Sequence, residues 1–288
     1  MNYVIDNEIL CATVSDYGAE LISVKKYGVE FLWQGCEPFW SSHAPLLFPV
    51  CGSLLDQKYT YNGKEYSMPF HGFARHKTFS VVEHSNLRLV LKLCSDDETR
   101  EIYPFDFELV AVFELLGNEI FVSYKVINKS NEVMPYMLGW HPGLNLPGEC
   151  AISDFKLKLQ NPENAQWYPL QHGGFVRPYG EHYPMCGQDY YLNEEEIYKN
   201  DTMIFSDVGN YAYLYCPDNT MILRLRWRDE NSYLCVWKNA DSKARFICIE
   251  PWSDVPADGE TPENFDNRKM SRLAPGESKD YQFGIKIG

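Results

Sequence analysis

Hydrophobic and polar residues alternate with a period of two along much of this chain. Successive side chains of a β-strand point to opposite faces, so the alternation predicts strands with one buried face. Asn62-Gly63 and Gly117-Asn118 each lie between two such runs and predict hairpins with two-residue turns. The predicted strands are 59–61, 64–66, 87–93, 107–115, 119–126, 155–159, 221–227, 233–237 and 246–249.

Helical periodicity is weak, and segment 193–199 favours about two turns of helix. Many strands with almost no helix predict an all-β protein, either a large antiparallel β-sandwich or a closed barrel. No repeat, low-complexity linker or break in composition divides the chain, so we expect one domain over residues 1–288. Residues 161–193 are rich in Pro, Gly and Tyr, which predicts long loops at the rim, where functional residues are common.

The composition excludes several kinds of partner. The 288 residues carry a formal net charge of −14, and nucleic acids and anionic membranes bind basic patches, so neither is expected. Aromatic residues make up 15% of the chain, which favours strands. The nine cysteines are dispersed without a C-x-x-C pair, which is typical of reduced thiols rather than disulfides or a zinc site. With no signal segment and no long apolar run, we predict a cytoplasmic protein, monomeric or homodimeric.

Two histidines and one glutamate each lie in a short run of aromatic and turn-forming residues. His141 and Glu250 both precede a proline, which steers the backbone to extended conformations and restrains the side chain. Glu250 also ends the apolar run 246–249, and burial of its carboxylate is costly unless it has partners or a role. The neighbouring rings of Trp140 and Trp252 suit the apolar face of a sugar. Two imidazoles and a carboxylate form an acid/base set that needs no metal and no cofactor.

The second histidine begins the run His71-Gly72-Phe73-Ala74-Arg75. If this segment is extended, His71 and Arg75 point to one face and His76 to the other, so a metal-binding pair of histidines is not expected. Arg75 beside His71 is suited to bind a hydroxyl or an anionic group of a ligand. No dinucleotide-binding, Walker, zinc-protease or serine-hydrolase motif occurs in the chain.

Taken together, these segments resemble the aldose 1-epimerase (galactose mutarotase-like) family, and its LacX-like branch in particular. The resemblance runs along nearly the whole chain, and the order and spacing of the motifs are more specific than any one of them. The segments that carry the resemblance are 16–21, 31–33, 45–52, 71–75, 141–145, 200–205, 250–252 and 257–259.

This resemblance implies a large antiparallel β-sandwich with a monosaccharide site on its concave face. It implies that Glu250 takes the proton of the anomeric hydroxyl while His141 gives a proton to the ring oxygen. The ring then opens and recloses on its other face. By the same resemblance, His71 matches a histidine that binds and polarises the sugar. Asp201 and Arg75 match residues that contact the sugar.

Two other functions use the same residues. A non-catalytic sugar-binding protein would use the acid/base pair only to hold hydroxyl groups. A glycoside hydrolase needs a second carboxylate, for which Asp201 and Asp254 are candidates. The chain departs from the LacX-like pattern at Ser53, where arginine is frequent, and at His76, where aspartate is common. With Arg75 present, the other arginine absent and a strongly negative chain, a neutral aldose is favoured over a phosphorylated one.

Overall fold

The computed structural model describes residues 1–149, 151–171, 175–176, 183–184, 190–192, 202–228, 233–239, 241 and 243–288. This part of the chain is almost entirely β. The strands are β1 (Asn2–Asp6), β2 (Leu10–Ser15), β3 (Glu20–Lys26), β4 (Val29–Glu30), β5 (Leu46–Leu47), β6 (Lys58–Tyr61), β7 (Lys64–Ser67), β8 (Ser80–His84), β9 (Arg88–Cys94), β10 (Phe107–Leu116), β11 (Glu119–Asn128), β12 (Met134–Tyr136), β13 (Gly139–Trp140), β14 (Gly143–Asn145), β15 (Lys156–Leu159), β16 (Gln166–Gln171), β17 (Phe175–Val176), β18 (Tyr183–Pro184), β19 (Tyr190–Tyr191), β20 (Thr202–Ser206), β21 (Tyr211–Tyr215), β22 (Met221–Arg228), β23 (Tyr233–Trp237), β24 (Phe246–Trp252), β25 (Glu263–Asn264), β26 (Ser271–Leu273) and β27 (Ser278–Ile287). The helices described are α1 (Asp97–Ile102) and the 3₁₀ turns Leu55–Gln57, Ala74–His76, Ile152–Asp154 and Pro162–Asn164.

Two large antiparallel sheets form the body of the described molecule. The first has the strand order β19-β15-β21-β22-β27-β11-β10-β9-β8. The second has the order β17-β16-β20-β23-β24-β13-β5, with β14 also on β24 and β18 on β16. The indole of Trp140 on β13 stacks on the ring of Phe283 on β27, with centroids 5.7 Å apart, so the two sheets pack face to face. The predicted antiparallel β-sandwich is therefore confirmed.

The hairpin of β10 and β11 shows how the sequence directs local structure. Leu116 pairs with Glu119 across the turn, where Gly117 has a φ of 57°, a left-handed conformation that suits glycine. Buried side chains alternate with more exposed ones along both strands. The predicted strands are all observed, with ends that shift by one to three residues.

Strand β24 positions the site because it carries different side chains on its two faces. All seven of its residues are buried. Ile247 and Ile249 belong to the main core, whereas Phe246 and Cys248 pack in a second apolar cluster with Trp40. Since side chains two residues apart share a face, Glu250 points to the same side as Cys248.

Some parts of the fold differ from the expectation. The sequence does not predict α1, whose six residues are too few to show a helical period; a capping box between Asp96 and Thr99 begins it. Segment 161–193 is not all loop, because it contains β16, which pairs with β20.

The helix expected at 193–199 lies outside the described residues, and the single domain over 1–288 stays a prediction. No described helix has the length and apolar character needed to cross a membrane.

Candidate active site

A cavity of about 340 Å³ lies over strands β23 and β24. This volume falls in the range of small-molecule pockets, roughly 300–1,000 Å³. It therefore suits a compact ligand such as a monosaccharide. The cavity brings together predicted site residues that are far apart in the sequence. Its described lining residues are Trp40, Gly52, Phe70, His71, Arg75, His141, Leu170, Thr202, Cys235, Trp237, Glu250, Trp252 and Pro256.

Glu250 lies on β24 opposite Cys235 of β23. Its side chain is fully buried, and neither carboxylate oxygen forms a hydrogen bond of good geometry with a described residue, although Nε2 of His141 lies 3.2 Å from Oε2. Burial raises the pKa of Glu250 well above its usual 4.5. The nearby thiol of Cys235 and indole of Trp252 lower this pKa, but by less than burial raises it. An unpaired carboxyl group that faces a cavity is placed to take a hydrogen bond or a proton from a ligand.

His141 follows β13, and its imidazole lies directly beside Glu250. Nε2 of His141 is 3.2 Å from Oε2 of Glu250, and the ring of Trp40 stacks on the imidazole with centroids 4.9 Å apart. Burial lowers the pKa of His141 from 6.5 to about 3, and the charge of Arg75 acts in the same direction. Burial therefore disfavours the charged form of both groups, and it favours the protonated carboxyl group of Glu250 and the neutral imidazole of His141.

His71 is a second buried histidine of the cavity. Its Nδ1 accepts a hydrogen bond from the backbone N–H of Gly52 at 2.9 Å. Since Nδ1 is the acceptor, the neutral ring carries its proton on Nε2. Burial, together with the neighbouring His141 and Arg75, lowers the pKa of His71 well below 6.5. The Nε2–H group of His71 is therefore a hydrogen-bond donor in a defined tautomer.

The backbone at His71 is a turn rather than the extended segment considered above. His71 has a φ of 63° and Gly72 a φ of 73°, and Arg75 lies in the 3₁₀ turn Ala74–His76. A Cβ at residue 72 would lie 2.2 Å from the carbonyl oxygen of Phe48, so only glycine fits there. The turn nevertheless brings His71 and Arg75 to the same cavity, as expected.

Arg75 brings a positive charge to the cavity. Its Nη2 donates to Oγ of Ser42 at 3.1 Å, and among the described residues no carboxylate forms an ion pair with it. Burial lowers the pKa of Arg75 and the nearby Glu20 raises it, but a guanidinium stays protonated in either case. Its remaining N–H groups are suited to bind sugar hydroxyls or an anionic substituent.

The two tryptophans expected beside the sugar have different positions. Trp252 lines the cavity. The expectation that Trp140 contacts the sugar is wrong, because its side chain is fully buried in the core. It stacks on Phe283 and donates from Nε1 to the carbonyl oxygen of Ala44. Trp140 and His141 are consecutive on extended backbone, so their side chains point to opposite sides.

Three of the lining residues that were not predicted from the sequence lie around His141 and Glu250. The rings of Trp40 and Trp237 flank His141, with the centroid of Trp237 at 5.8 Å, and Cys235 lies opposite Glu250. The one sequence signal for them is that Cys235 and Trp237 share a face of a predicted strand. Asp201, expected to contact the sugar, lies outside the described residues.

The similarity of this chain to known proteins covers nearly its whole length. The family model for aldose 1-epimerases matches residues 1–279. The chain belongs to the aldose 1-epimerase family. It is accordingly an enzyme of the isomerase class, as the resemblance implied.

Individual relatives of this aldose 1-epimerase family member agree with that assignment. The plasmid-encoded protein LacX of Lactococcus lactis subsp. lactis is 28% identical over 306 aligned positions, covering 100% of this chain and 99% of the relative. A galactose mutarotase-related enzyme from Lactobacillus acidophilus is 30% identical with a TM-score of 0.92, covering 100% of this chain and 97% of that chain. A galactose mutarotase-like protein from Lactobacillus casei ATCC 334 is 25% identical with a TM-score of 0.88 and full coverage of both chains.

Proposed function

We propose that this aldose 1-epimerase family member interconverts the α and β anomers of an aldohexose, with Glu250 as the base and His141 as the acid. The observation that carries the proposal is the 3.2 Å approach of His141 Nε2 to Glu250 Oε2 in the cavity. The anomeric hydroxyl and the ring oxygen of an aldose are bonded to the same carbon. A base for one oxygen and an acid for the other must therefore lie side by side.

Ring opening removes one proton and delivers another. In the reactive state, ionised Glu250 takes the proton of the anomeric hydroxyl while protonated His141 gives its proton to the ring oxygen. The bond between the anomeric carbon and the ring oxygen breaks, and the aldehyde rotates. Addition of the oxygen to the other face of the aldehyde reverses both proton transfers. The pair begins and ends with one proton, so the cycle needs no other donor.

The remaining lining residues bind and orient the sugar. His71 donates from Nε2 to a sugar oxygen, and Arg75 donates to a second one. The rings of Trp40 and Trp252 contact the apolar face of the pyranose. The role of Asp201, which rests on the family resemblance, stays a prediction.

Hydrolysis of a glycoside is less well supported by this cavity. Glycosidases of the usual kind place two carboxyl groups on either side of the bond to be cleaved. Among the described lining residues Glu250 supplies the one carboxyl group, and Asp254 is not among them. The described lining thus supplies the pair for ring opening, whereas Asp201, the other candidate carboxylate for hydrolysis, lies outside the described residues.

A neutral aldose also suits the cavity better than a phosphorylated one. Arg75 is the one cationic side chain among the described lining residues, because both histidines are neutral there. A phosphate group is a dianion with several acceptor oxygens, and proteins usually meet it with more than one cation or with several backbone N–H groups. We therefore propose galactose or glucose as the type of substrate.

Two-dimensional exchange NMR at anomeric equilibrium tests this function. The panel contains galactose, glucose and their 6-phosphates, each with a catalytic amount of protein. We expect faster anomer exchange of a neutral hexose, and a decrease of at least about 100-fold in Glu250→Gln, because that variant lacks the base but keeps the shape of the side chain. His141→Asn is expected to lose exchange to a similar extent.

Three results would contradict the proposal or a part of it. Sugar binding without faster exchange would identify a non-catalytic carbohydrate-binding protein. Release of free sugar from an aryl glycoside, abolished by Glu250→Gln, would identify a hydrolase. A near wild-type exchange rate in either variant would exclude that residue from its proposed role.

A further inference from the structure

A cluster of three potential metal ligands includes two residues that line the cavity. One imidazole nitrogen of His141, the sulfur of Cys248 and one carboxylate oxygen of Glu250 all lie within 4.8 Å of one another, and all three residues are buried. Cys248 precedes Glu250 by two residues on β24, so both side chains point to the same face. The sequence shows no metal motif here because the ligands come from two segments that meet only in the folded sheet. We call these residues the His–Cys–Glu cluster.

We propose that the His–Cys–Glu cluster binds a thiophilic divalent cation such as Zn²⁺, and that the bound ion inhibits the enzyme. Imidazole, thiolate and carboxylate are the usual ligands of zinc, and sites with three protein ligands leave a fourth position for water. The thiolate selects Zn²⁺ or Co²⁺ over Mg²⁺ and Ca²⁺, which prefer oxygen ligands. The fourth position would face the cavity, since His141 and Glu250 both line it.

Unpartnered polar atoms support this site. Both carboxylate oxygens of Glu250 and Nδ1 of His141 are buried without a hydrogen-bond partner among the described residues. Buried polar atoms in folded proteins are usually satisfied by a protein group, water or an ion. A cation bound by the cluster would supply the missing interaction for Glu250 and for one nitrogen of His141.

The ion would offset the charge of its ligands. Binding of Zn²⁺ requires the thiolate, the carboxylate and a neutral imidazole, so binding releases protons to solvent. The two positive charges of the ion then offset the two anionic ligands, which avoids an uncompensated buried charge.

Inhibition follows from the identity of the ligands. An ion on Glu250 and His141 occupies the electron pairs that the proposed ring opening uses for proton transfer. The sugar and the ion therefore compete for one site. This inhibitory effect rests on the proposed function, whereas binding of the ion does not, so the two are measured separately.

Binding is tested with Co²⁺ as a spectroscopic probe on the purified full-length protein after treatment with a chelator. We expect one equivalent to bind with a near-ultraviolet thiolate-to-Co²⁺ charge-transfer band, and calorimetry in two buffers to report release of protons on binding. Cys248→Ala should abolish the band and weaken Co²⁺ binding by more than about 10-fold. Loss of a direct ligand should cost at least as much affinity as loss of a residue that only hydrogen-bonds to a ligand, which is about 10-fold or more. Cys94→Ala, which removes an exposed thiol, is the control and should bind normally.

The activity test uses Zn²⁺ during anomer exchange. Wild-type exchange should be inhibited and restored by a chelator, whereas Mg²⁺ at the same concentration should have no effect. Cys248→Ala should keep its exchange rate without zinc and resist inhibition. Circular dichroism verifies that Cys248→Ala is folded. If the alanine variant is unstable, Cys248→Ser, which also removes the thiolate, is used instead.

The outcomes separate the two proposals. Co²⁺ binding without a thiolate band, or equal affinity in Cys248→Ala, would overturn the metal site. A thiolate band lost in Cys235→Ala but kept in Cys248→Ala would also overturn it, because the ligand would then be the other thiol. If no sugar shows exchange, the proposed function fails, and the Co²⁺ titration still decides the metal site.

Discussion

At the scale of single residues, burial acts in opposite directions on the two groups proposed to carry the chemistry. It raises the pKa of Glu250 well above 4.5 and lowers the pKa of His141 to about 3. The ordinary pKa values would leave only a narrow pH interval in which the glutamate is ionised and the histidine protonated. In the folded protein burial instead favours the protonated carboxyl group of Glu250 and the neutral imidazole of His141, so the proposed reactive state requires transfer of that proton from Glu250 to His141.

The first prediction concerns the pH dependence of kcat/KM for anomer exchange. We expect no loss as the pH falls through about 6.5 and about 4.3, the ordinary pKa values of histidine and glutamate. The loss should begin only toward the lowered pKa of His141, about 3, where the pair takes up a second proton and Glu250 can no longer act as a base. At alkaline pH, activity should fall as the pair loses its only proton at the raised pKa of Glu250.

Exchange rates at subsaturating sugar across this pH range give the profile. Circular dichroism at each pH verifies that the protein stays folded. An acid limb centred near the ordinary pKa of glutamate, with the fold intact, would show that Glu250 titrates as an exposed carboxyl group and would contradict its raised pKa.

At the scale of elements, the site depends on one tight turn and one interior strand. The carbonyl oxygen of Phe48 accepts hydrogen bonds from the backbone N–H groups of Phe73 and Ala74, which closes the turn that presents His71. Gly72 lies against that same carbonyl group. Strand β24 contributes Glu250 from the interior of the sheet, where hydrogen bonds on both edges hold it. A rigid turn and a rigid strand thus hold His71 and Glu250 in the same cavity.

The second prediction compares two glycines that both have a left-handed backbone. Gly72→Ala should lower the free energy of unfolding by more than about 2 kcal/mol, because strain from positive φ is joined by a clash with the backbone of Phe48. Gly63→Ala is the matched control, since its φ is 71° and no atom lies within 4 Å of the new Cβ. Its cost should be only about 1–2 kcal/mol.

Urea unfolding of the two variants measures the difference. Gly72→Ala should also lower kcat/KM, since displacement of the turn moves the Nε2–H group of His71, whereas Gly63→Ala should leave kcat/KM unchanged. Equal losses of stability in the two variants would show that the turn at residue 72 relaxes without cost, and that its backbone contact does not hold His71 in place.

At the scale of the whole molecule, the site lies within a core that is largely apolar. Glu250 is wholly buried next to Ile249, and its carboxyl group, with the neutral imidazole of His141 beside it, is costly to ionise there. The folded protein therefore holds the proton of Glu250 more tightly than the unfolded chain does. Stability from this group is complete below the ordinary pKa of 4.5 and is lost as the pH rises toward the raised pKa.

The third prediction follows from this linkage. Glu250→Gln should be more stable than the wild type at about pH 9, and the difference should shrink toward about pH 5, because the amide cannot ionise. Each gain of about 1 kcal/mol corresponds to a rise in Tm of roughly 2 °C for a protein of this size. Differential scanning calorimetry over this pH range gives the result. A Tm difference independent of pH would show that Glu250 does not titrate on folding.

The sequence by itself determined the strands and the residues that carry chemistry. Period-two alternation and the Asn-Gly and Gly-Asn turns are local properties, so the hairpins of β6 with β7 and β10 with β11 follow from neighbouring residues alone. The short motifs also singled out His71, His141 and Glu250, and the resemblance correctly indicated the aldose 1-epimerase family. These features depend on contacts over a few residues, or on motifs that stand in the sequence.

Only the tertiary structure decided which side chains meet. The pairing of β24 with the segment before His141 joins residues more than 100 positions apart in the chain. That pairing brings His141 to Glu250 and adds Cys248 to the same face, whereas Trp140 points into the core. The physical reason is that a strand offers two opposite faces, and local sequence does not specify which one a distant segment will cover.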